Sequence, residues 1–98
     1  MNMYVVNYDD RKLILYYEGG RYDFNLNDGD VGDFWNSFTA DNQVYDINFH
    51  QEDAYSIPSL SVYKCGKNEF DEWEIMMSDY ETIPNLLYGG DSKKYFNH

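Results

Sequence analysis

Residues 69–81 read EFDEWEIMMSDYE, and the shape of this stretch decides both the fold and the surface that the chain can present. The stretch mixes six carboxylates with large apolar and aromatic side chains and contains no Lys or Arg. Its apolar side chains suit a core, whereas its carboxylates form a dense negative charge. The stretch therefore predicts an anchored segment that shows an anionic face to a partner.

Two conformations fit residues 69–81. As a helix, the stretch is capped by Asn68 and carries an apolar stripe of Phe70, Trp73, Met77 and Tyr80. As a strand, it points Trp73, Ile75 and Met77 inward and Glu72, Glu74 and Met76 outward. The segment Gly66–Asn68 lies between two alternating stretches, as a hairpin loop does. We therefore favour the strand.

The N-terminal part of the chain predicts an antiparallel meander. Residues 3–8 and 12–17 are rich in β-branched and aromatic side chains, which favour strands. Residues 22–26 alternate between apolar and polar side chains, as a half-buried strand does. The short polar turns at 9–10 and 18–20 join these three strands.

The next segment predicts a helix from about Asp30 to Thr39. Asp30 is a suitable N-cap, and the acids near it lie at the positive end of the helix dipole. The spacing i, i+3, i+4, i+7 then defines one apolar helical face, formed by Val31, Phe34, Trp35 and Phe38. We expect this face to pack on the sheet.

The remaining segments complete an α+β domain. Residues 44–50 and 57–65 alternate as strands, and Pro84 suits the first position of a short C-terminal helical turn. We predict one domain over 1–98, with 91–98 as a tail. Its fold is a mainly antiparallel sheet of five or six strands, with one short helix packed on it.

Composition limits the classes of function. With 43% hydrophobic and 19% aromatic residues, the chain can form a core despite its net charge of −11. That charge disfavours direct contact with nucleic acid or an anionic membrane, because both bind Lys and Arg. Cys65 is the single cysteine, which excludes an internal disulfide. No secretory signal is visible, so we predict a cytoplasmic protein, in the host cytoplasm if it is phage-encoded.

The acids are segregated along the chain. Fifteen of the eighteen carboxylates lie in two stretches without a cation, between Arg21 and Lys64 and between Lys67 and Lys93. Surface acids normally alternate with basic residues, so this segregation indicates a binding surface. The predicted partner-binding residues are Asp28, Asp30, Asp33, Asp46, Glu52, Asp53, Asp71, Glu72, Glu74, Asp79 and Glu81.

Strand geometry relates these acids to a phosphate backbone. Alternate strand residues repeat at about 6.6–6.8 Å, which is about two base-pair rises of DNA. Glu72 and Glu74, if they alternate along a strand, match that spacing. Every strand with alternating acids has this property, so an ordinary acidic surface is an equal alternative.

We find no catalytic, cofactor or metal motif. Asp23, Asn25 and Asn27 resemble the start of a calcium loop, but Phe34 occupies the position of its terminal Glu. Asp28, Asp30 and Asp33 are better explained by helix capping than by a divalent cation. His50, near Asp46 and Glu52 in sequence, fits an outward strand position better than an acid–base group. We therefore expect no enzyme activity, no cofactor and no metal site.

Together these features predict a small inhibitor that occupies the cationic groove of a basic, nucleic-acid-handling protein. In size, acidity, Tyr and Asn content and lack of catalytic motifs, the chain resembles phage-encoded counter-defence proteins, such as anti-CRISPR and anti-restriction inhibitors, without sharing a motif with them. An immunity protein or antitoxin that neutralises a cationic nuclease is one alternative. A structural or assembly protein with an ordinary acidic surface is another.

Overall fold

Eight β-strands form the fold. The structure is a computed structural model that describes residues 2–8, 10–26, 33–52 and 56–86. The strands β1 to β8 are Met3–Asn7, Lys12–Tyr17, Gly20–Asn25, Asp33–Ala40, Gln43–His50, Ser59–Lys67, Trp73–Ile83 and Asn85–Leu86. No helix occurs in these described ranges. The predicted α+β class is therefore wrong, and the described chain is all-β.

The strands form two four-stranded sheets instead of the one sheet that the sequence predicted. The first sheet has the order β3-β2-β1-β8, and the second has the order β4-β5-β6-β7. All neighbouring strands are antiparallel except β1 and β8, which are parallel. The predicted meander of β1, β2 and β3 is confirmed as the body of the first sheet.

The core lies between the inner faces of the two sheets. Alternate residues of β1 and β2 are buried, as expected when one face of a sheet packs on a core. Tyr4 of the first sheet meets Phe49 of the second edge to face, with ring centroids 6.4 Å apart. The core side chains include Tyr4, Val6, Leu13, Leu15, Tyr17, Phe24, Phe34, Phe38, Ile47, Phe49, Leu60, Val62 and Ile83.

The predicted helix over Asp30–Thr39 is wrong, because β4 occupies its described part. Phe34 and Phe38 are buried, which both conformations allow, since residues four apart share a face of a strand as well as of a helix. Trp35 distinguishes the two conformations. It is 47% exposed and points away from the core, whereas the helix placed it on the sheet. Asp30 and Val31 lie outside the described residues.

The turn after β4 explains why the segment is a strand. Asp41 and Asn42 form a two-residue loop, with φ of 51° and 64°. Ala40 and Gln43 pair on either side of this loop. Two successive left-handed residues are the mark of a type I′ hairpin turn, for which Asp and Asn are well suited. The sequence placed the end of a helix here, but the Asp-Asn pair closes a hairpin.

Strand β7 confirms the strand conformation that the sequence favoured for residues 73–81, whereas 69–72 form a turn. Its hairpin loop lies at 68–72, slightly later than predicted. The predicted sides are only partly correct. Trp73 is 45% exposed and Met77 is 66% exposed, so neither points into the core. In this half of β7 the side chains are exposed, except for the half-buried Ile75.

The C-terminal helical turn predicted from Pro84 is wrong for the described residues. Ile83 ends β7 and is buried, and Asn85–Leu86 then pair with Tyr4 and Val5 of β1. The N–H of Tyr4 donates a 3.1 Å hydrogen bond to the Pro84 carbonyl. The chain thus crosses from the second sheet to the first at Pro84. The predicted tail at 91–98 lies outside the described residues.

The described residues contain no helix that is long and apolar enough to cross a membrane.

Candidate partner-binding face

The two sheets differ strongly in charge. In the described residues, the first sheet and its turns carry three acids and three bases, which are Asp10, Glu18, Asp23, Arg11, Lys12 and Arg21. The second sheet and its turns carry ten acids and two lysines. They are Asp33, Asp41, Asp46, Glu52, Glu69, Asp71, Glu72, Glu74, Asp79, Glu81, Lys64 and Lys67. The segregation seen along the sequence is therefore also a segregation in space.

The outer face of the second sheet carries a row of aromatic rings. Pairing between strands aligns Asp46, Tyr63 and Tyr80 across the sheet, on the side opposite the buried residues. The Trp35 ring leans across β5 to lie 5.7 Å from the Tyr63 ring, which in turn lies 5.2 Å from the Tyr80 ring. We call Trp35, Tyr63 and Tyr80 the aromatic row.

The aromatic row is accessible to a partner. Trp35 is 47% exposed and Tyr80 is 56% exposed. Large, rigid side chains of this kind carry much of the binding energy of protein interfaces. All of the exposed large hydrophobic side chains of the described residues belong to the second sheet and its connections. They are Trp35, Ile57, Phe70, Trp73, Met76, Met77 and Tyr80.

Asp33 holds one end of the row in place. Its Oδ2 accepts a 3.2 Å hydrogen bond from Trp35 Nε1, and its Oδ1 accepts a 2.8 Å bond from Asn48 Nδ2. His50 Nδ1 lies 3.6 Å from the same carboxylate, and His50 Nε2 lies 3.8 Å from Glu52 Oε1. The predicted outward position of His50 is thus seen, with Asp33 rather than Asp46 beside it.

Asp46 pairs with Tyr63 across the outer face of the sheet and is half-buried. Its carboxylate lies beside the buried thiol of Cys65. Burial, followed by the charge of Asp46 and a hydrogen bond to it, raises the pKa of Cys65. A thiol with a raised pKa is a poor nucleophile.

The hairpin loop between β6 and β7 carries a second group of the predicted partner-binding residues. Asp71 and Glu72 lie in the turn before β7, and Glu74 lies near the start of that strand. Asp71 forms a 3.2 Å ion pair with Lys67, whose ammonium also lies 5.0 Å from the centroid of the Trp73 ring. Because Glu72 precedes β7, Glu72 and Glu74 do not alternate along the strand as the phosphate comparison supposed.

Asp79 and Glu81 form a third group at the edge of the second sheet. With Lys64, Tyr17 and Tyr45 they line an open depression of about 150 Å³. The Tyr17 hydroxyl donates a 2.8 Å hydrogen bond to Glu81 Oε1. Burial, and then the hydrogen bond and charge of Glu81, raise the pKa of Tyr17. Glu81 therefore turns towards the inner side of its sheet, away from the aromatic row.

The predicted binding residues thus fall into three groups rather than one. Asp33, Asp46 and Glu52 belong to the outer face and its end, whereas Asp71, Glu72 and Glu74 belong to the hairpin. Asp79 and Glu81 lie between these groups along the sheet edge. Asp28, Asp30 and Asp53 lie outside the described residues.

The described residues offer no group of three or more His, Cys, Asp or Glu side chains that could hold a metal ion. Asp23, considered above as a calcium ligand, lies in β3 and is held by Arg21, with 2.9 Å between Nε and Oδ1. The hydrogen bond from Arg21 lowers the pKa of Asp23. Asp23 thus lies in a strand beside a neutralising arginine, as the alternation of residues 22–26 predicted.

The sequence reasoning missed the aromatic row. Trp35 was assigned to a helix, and Tyr80 was assigned to a face only in the helical alternative for residues 69–81. The Asp41-Asn42 pair was the signal that could have revealed a strand before it, and hence the outward position of Trp35.

No model of a protein family, no curated protein and no solved structure matches this chain.

Proposed function

We propose that this chain is an acidic inhibitor that binds a basic, nucleic-acid-handling protein and occupies its cationic groove. The observation that carries the proposal is the charge of the second sheet, whose described residues and turns carry ten acids and two lysines, whereas those of the first sheet carry three acids and three bases. Such an arrangement gives the molecule one strongly negative side. A negative side attracts a cationic surface over long distances and accelerates association.

Apolar contacts supply binding affinity that exposed charges alone do not supply. Exposed carboxylates are well hydrated, and single pairs at a surface contribute little affinity. The aromatic row and the exposed Met76 and Met77 lie among these acids. Burial of such side chains contributes about 25 cal/mol for each Å² of apolar surface. Charge therefore selects the partner, and the apolar side chains hold it.

The same apolar side chains favour a second candidate. A surface that only imitates phosphates has no need for Trp35, Met77 or Tyr80. Their exposure suits a dedicated protein interface, such as that of an immunity protein or antitoxin bound to a cationic nuclease. Both candidates place the second sheet against the basic surface of the partner.

Capture followed by competition tests the proposal. The purified chain on beads is incubated with a nuclease-treated cell lysate, so that nucleic acid does not bridge proteins. Captured proteins are then challenged with duplex DNA over a series of salt concentrations. We expect a basic nucleic-acid-binding protein that duplex DNA displaces and whose affinity falls as salt rises.

The outcomes separate the candidates. A partner displaced by duplex DNA supports occupation of the groove. A single nuclease that stays bound in the presence of DNA supports the immunity-protein function. A partner that DNA does not displace, and whose affinity is the same at low and high salt, contradicts both.

A further inference from the structure

Strand β7 forms one edge of the second sheet. It covers Trp73–Ile83, eleven residues, and is the longest strand of the described chain. The sheet order β4-β5-β6-β7 leaves one side of β7 without a neighbouring strand in the described ranges. After Pro84 the chain continues as β8, which pairs with β1 in the other sheet. The crossing at Pro84 therefore carries the chain away from this edge.

The edge lacks Lys, Pro and a covering segment among the described residues, which are three of the features that usually prevent strand addition. Its bulge and its inward carboxylates remain, and these carboxylates disfavour a neutral or acidic strand. Proteins protect exposed edges with Lys, Pro or a covering segment, because unpaired N–H and C=O groups bind other strands. Residues 73–83 contain neither Lys nor Pro. One irregularity interrupts the pairing with β6, where Met76–Asp79 oppose Lys64 alone. The backbone on either side of it, around Ile75 and from Tyr80 to Ile83, pairs regularly with β6.

The side chains of this edge select the chemistry of a partner strand. Tyr80 and Thr82 pair with outer-face residues of β6, whereas Asp79 and Glu81 line the depression near Tyr17 on the inner side. A strand added beside β7 presents alternate side chains to these two sides. Its inner-side positions therefore meet carboxylates, and its outer-side positions meet the aromatic row.

We propose that the edge of β7 that has no neighbour among the described strands binds an extended segment of the basic partner, with Lys or Arg at alternate positions, as a fifth strand of the second sheet. This proposal rests on the proposed function, since it supplies the binding mode of the same acidic sheet. Backbone hydrogen bonds along the edge provide affinity, and the alternate side chains provide specificity. Arginine suits the inner side best, because its guanidinium binds carboxylates through two parallel hydrogen bonds.

A second copy of the chain fits this edge poorly. Antiparallel pairing of two β7 strands would bring Glu74, Asp79 and Glu81 of one copy near the same residues of the other. Like charges directly opposite each other in a sheet are destabilising. Lys64 lines the same depression, but one ammonium does not neutralise both carboxylates of each copy. Charge therefore selects a cationic strand.

The test uses two synthetic peptides of equal composition. One alternates Arg and Val along its length, and the other has all its Arg residues in one block and all its Val residues in the other. Binding to the full chain is measured by fluorescence anisotropy at low salt. Amide hydrogen exchange of β7 is measured by NMR with and without each peptide. We expect the alternating peptide to bind about ten-fold tighter and to slow alternate β7 amides about ten-fold.

A matched pair of variants locates the contact. Asp79→Asn with Glu81→Gln removes two charges at the edge, whereas Asp10→Asn with Glu18→Gln removes two charges from turns of the first sheet. We expect the changes at Asp79 and Glu81 to weaken binding of the alternating peptide about ten-fold. The changes at Asp10 and Glu18 should weaken its binding less than about two-fold. Equal effects of the two pairs overturn the proposed location.

Other outcomes also decide the proposal. If both peptides bind equally and β7 amides exchange as before, the acidic face attracts cations but the edge does not add a strand. In that case the binding mode is wrong and the proposed function stands. If neither peptide binds at low salt, the proposed function itself is contradicted. If β7 amides become protected as the protein alone is concentrated, a second copy occupies the edge and the proposal is overturned.

Discussion

The Tyr17 hydroxyl donates a 2.8 Å hydrogen bond to Oε1 of Glu81, and this bond joins the first sheet to the second. Tyr17 ends β2, and Glu81 lies in the part of β7 that still covers the core. From Trp73 to Glu81 the side chains of β7 are exposed, except for the half-buried Ile75. The bond therefore ties the edge of the second sheet to the end of β2 in the first sheet.

Removal of the Tyr17 hydroxyl should loosen this end of the sandwich. Tyr17→Phe keeps the ring, which packs on Phe38 and Tyr45, but leaves Glu81 without its donor. Glu81 is exposed to water, so the loss should be near the lower end for a bond to a charged group. We expect the free energy of unfolding to fall by about 1 kcal/mol, measured by urea denaturation.

The matched control for this change is Tyr16→Phe. Tyr16 is the neighbouring residue of β2 and points to the outer face of the first sheet. We expect it to change the free energy of unfolding by less than about 0.5 kcal/mol. An equal effect of both variants would show that the Tyr17–Glu81 bond contributes nothing specific.

Alkaline pH should destabilise the fold through its buried tyrosines. Burial raises the pKa of Tyr4 and Tyr17 above the ordinary value of 10.0, and it raises the pKa of Tyr8 to about 12. The folded protein thus holds these protons more tightly than the unfolded chain does. The resulting stability is complete below about pH 10 and is lost as pH rises through the folded pKa values.

This pH dependence is measured by urea denaturation between about pH 8 and pH 11.5. We expect a constant free energy of unfolding below about pH 9 and a steep fall above about pH 10. Tyr17→Phe should make the fall less steep, because it removes one of the phenols whose pKa is raised in the folded protein. A free energy of unfolding that stays constant up to about pH 11.5 would contradict the raised pKa values of these tyrosines.

The sequence was sufficient to predict strands that are marked by the pattern of apolar residues within the strand itself. The apolar run of Lys12–Tyr17 gave the bounds that β2 has, and the alternation of 44–50 predicted most of β5. Division into two sheets was not predictable in this way. Whether β4 pairs with β5 or packs as a helix depends on contacts between distant strands, which local periodicity does not report.

Phe34 and Trp35 provide a direct test of the strand that replaced the predicted helix. On a helix both rings would pack against the sheet, but in β4 only Phe34 reaches the core. We expect Phe34→Ala to lower the free energy of unfolding by about 3–4 kcal/mol. Trp35→Ala should cost about 1 kcal/mol, since it removes a half-exposed ring and one exposed hydrogen bond. Comparable losses for the two variants, measured by urea denaturation, would favour the helix.

The candidate site was only partly predictable for a related reason. Acidic residues such as Asp33, Asp46 and Glu74 could be identified from charge alone. Their grouping could not, because it depends on how β4, β5, β6 and β7 are ordered in the sheet. The same ordering brings Trp35 within 5.7 Å of Tyr63, although 28 positions separate them in the sequence.

Reversal of charge at the hairpin should weaken binding of a cationic partner more than the same reversal elsewhere. Glu72→Lys with Glu74→Lys alters two exposed residues of the second sheet, and Asp10→Lys with Glu18→Lys alters two exposed residues of the first. Both pairs change the net charge equally, so long-range attraction falls by a similar amount. Only the lysines at positions 72 and 74 would also lie beside the bound cationic partner and repel it.

Fluorescence anisotropy with the alternating Arg and Val peptide measures the difference. At about 20 mM salt, where the Debye length exceeds 20 Å, we expect the hairpin pair to weaken binding about ten-fold and the control pair about two-fold. At about 500 mM salt, screening should remove most of the control effect. The hairpin effect should persist in part, because its lysines lie too close to the peptide to be screened completely. If the two pairs behave alike at both salt concentrations, the hairpin is not part of the binding surface and net charge alone drives association.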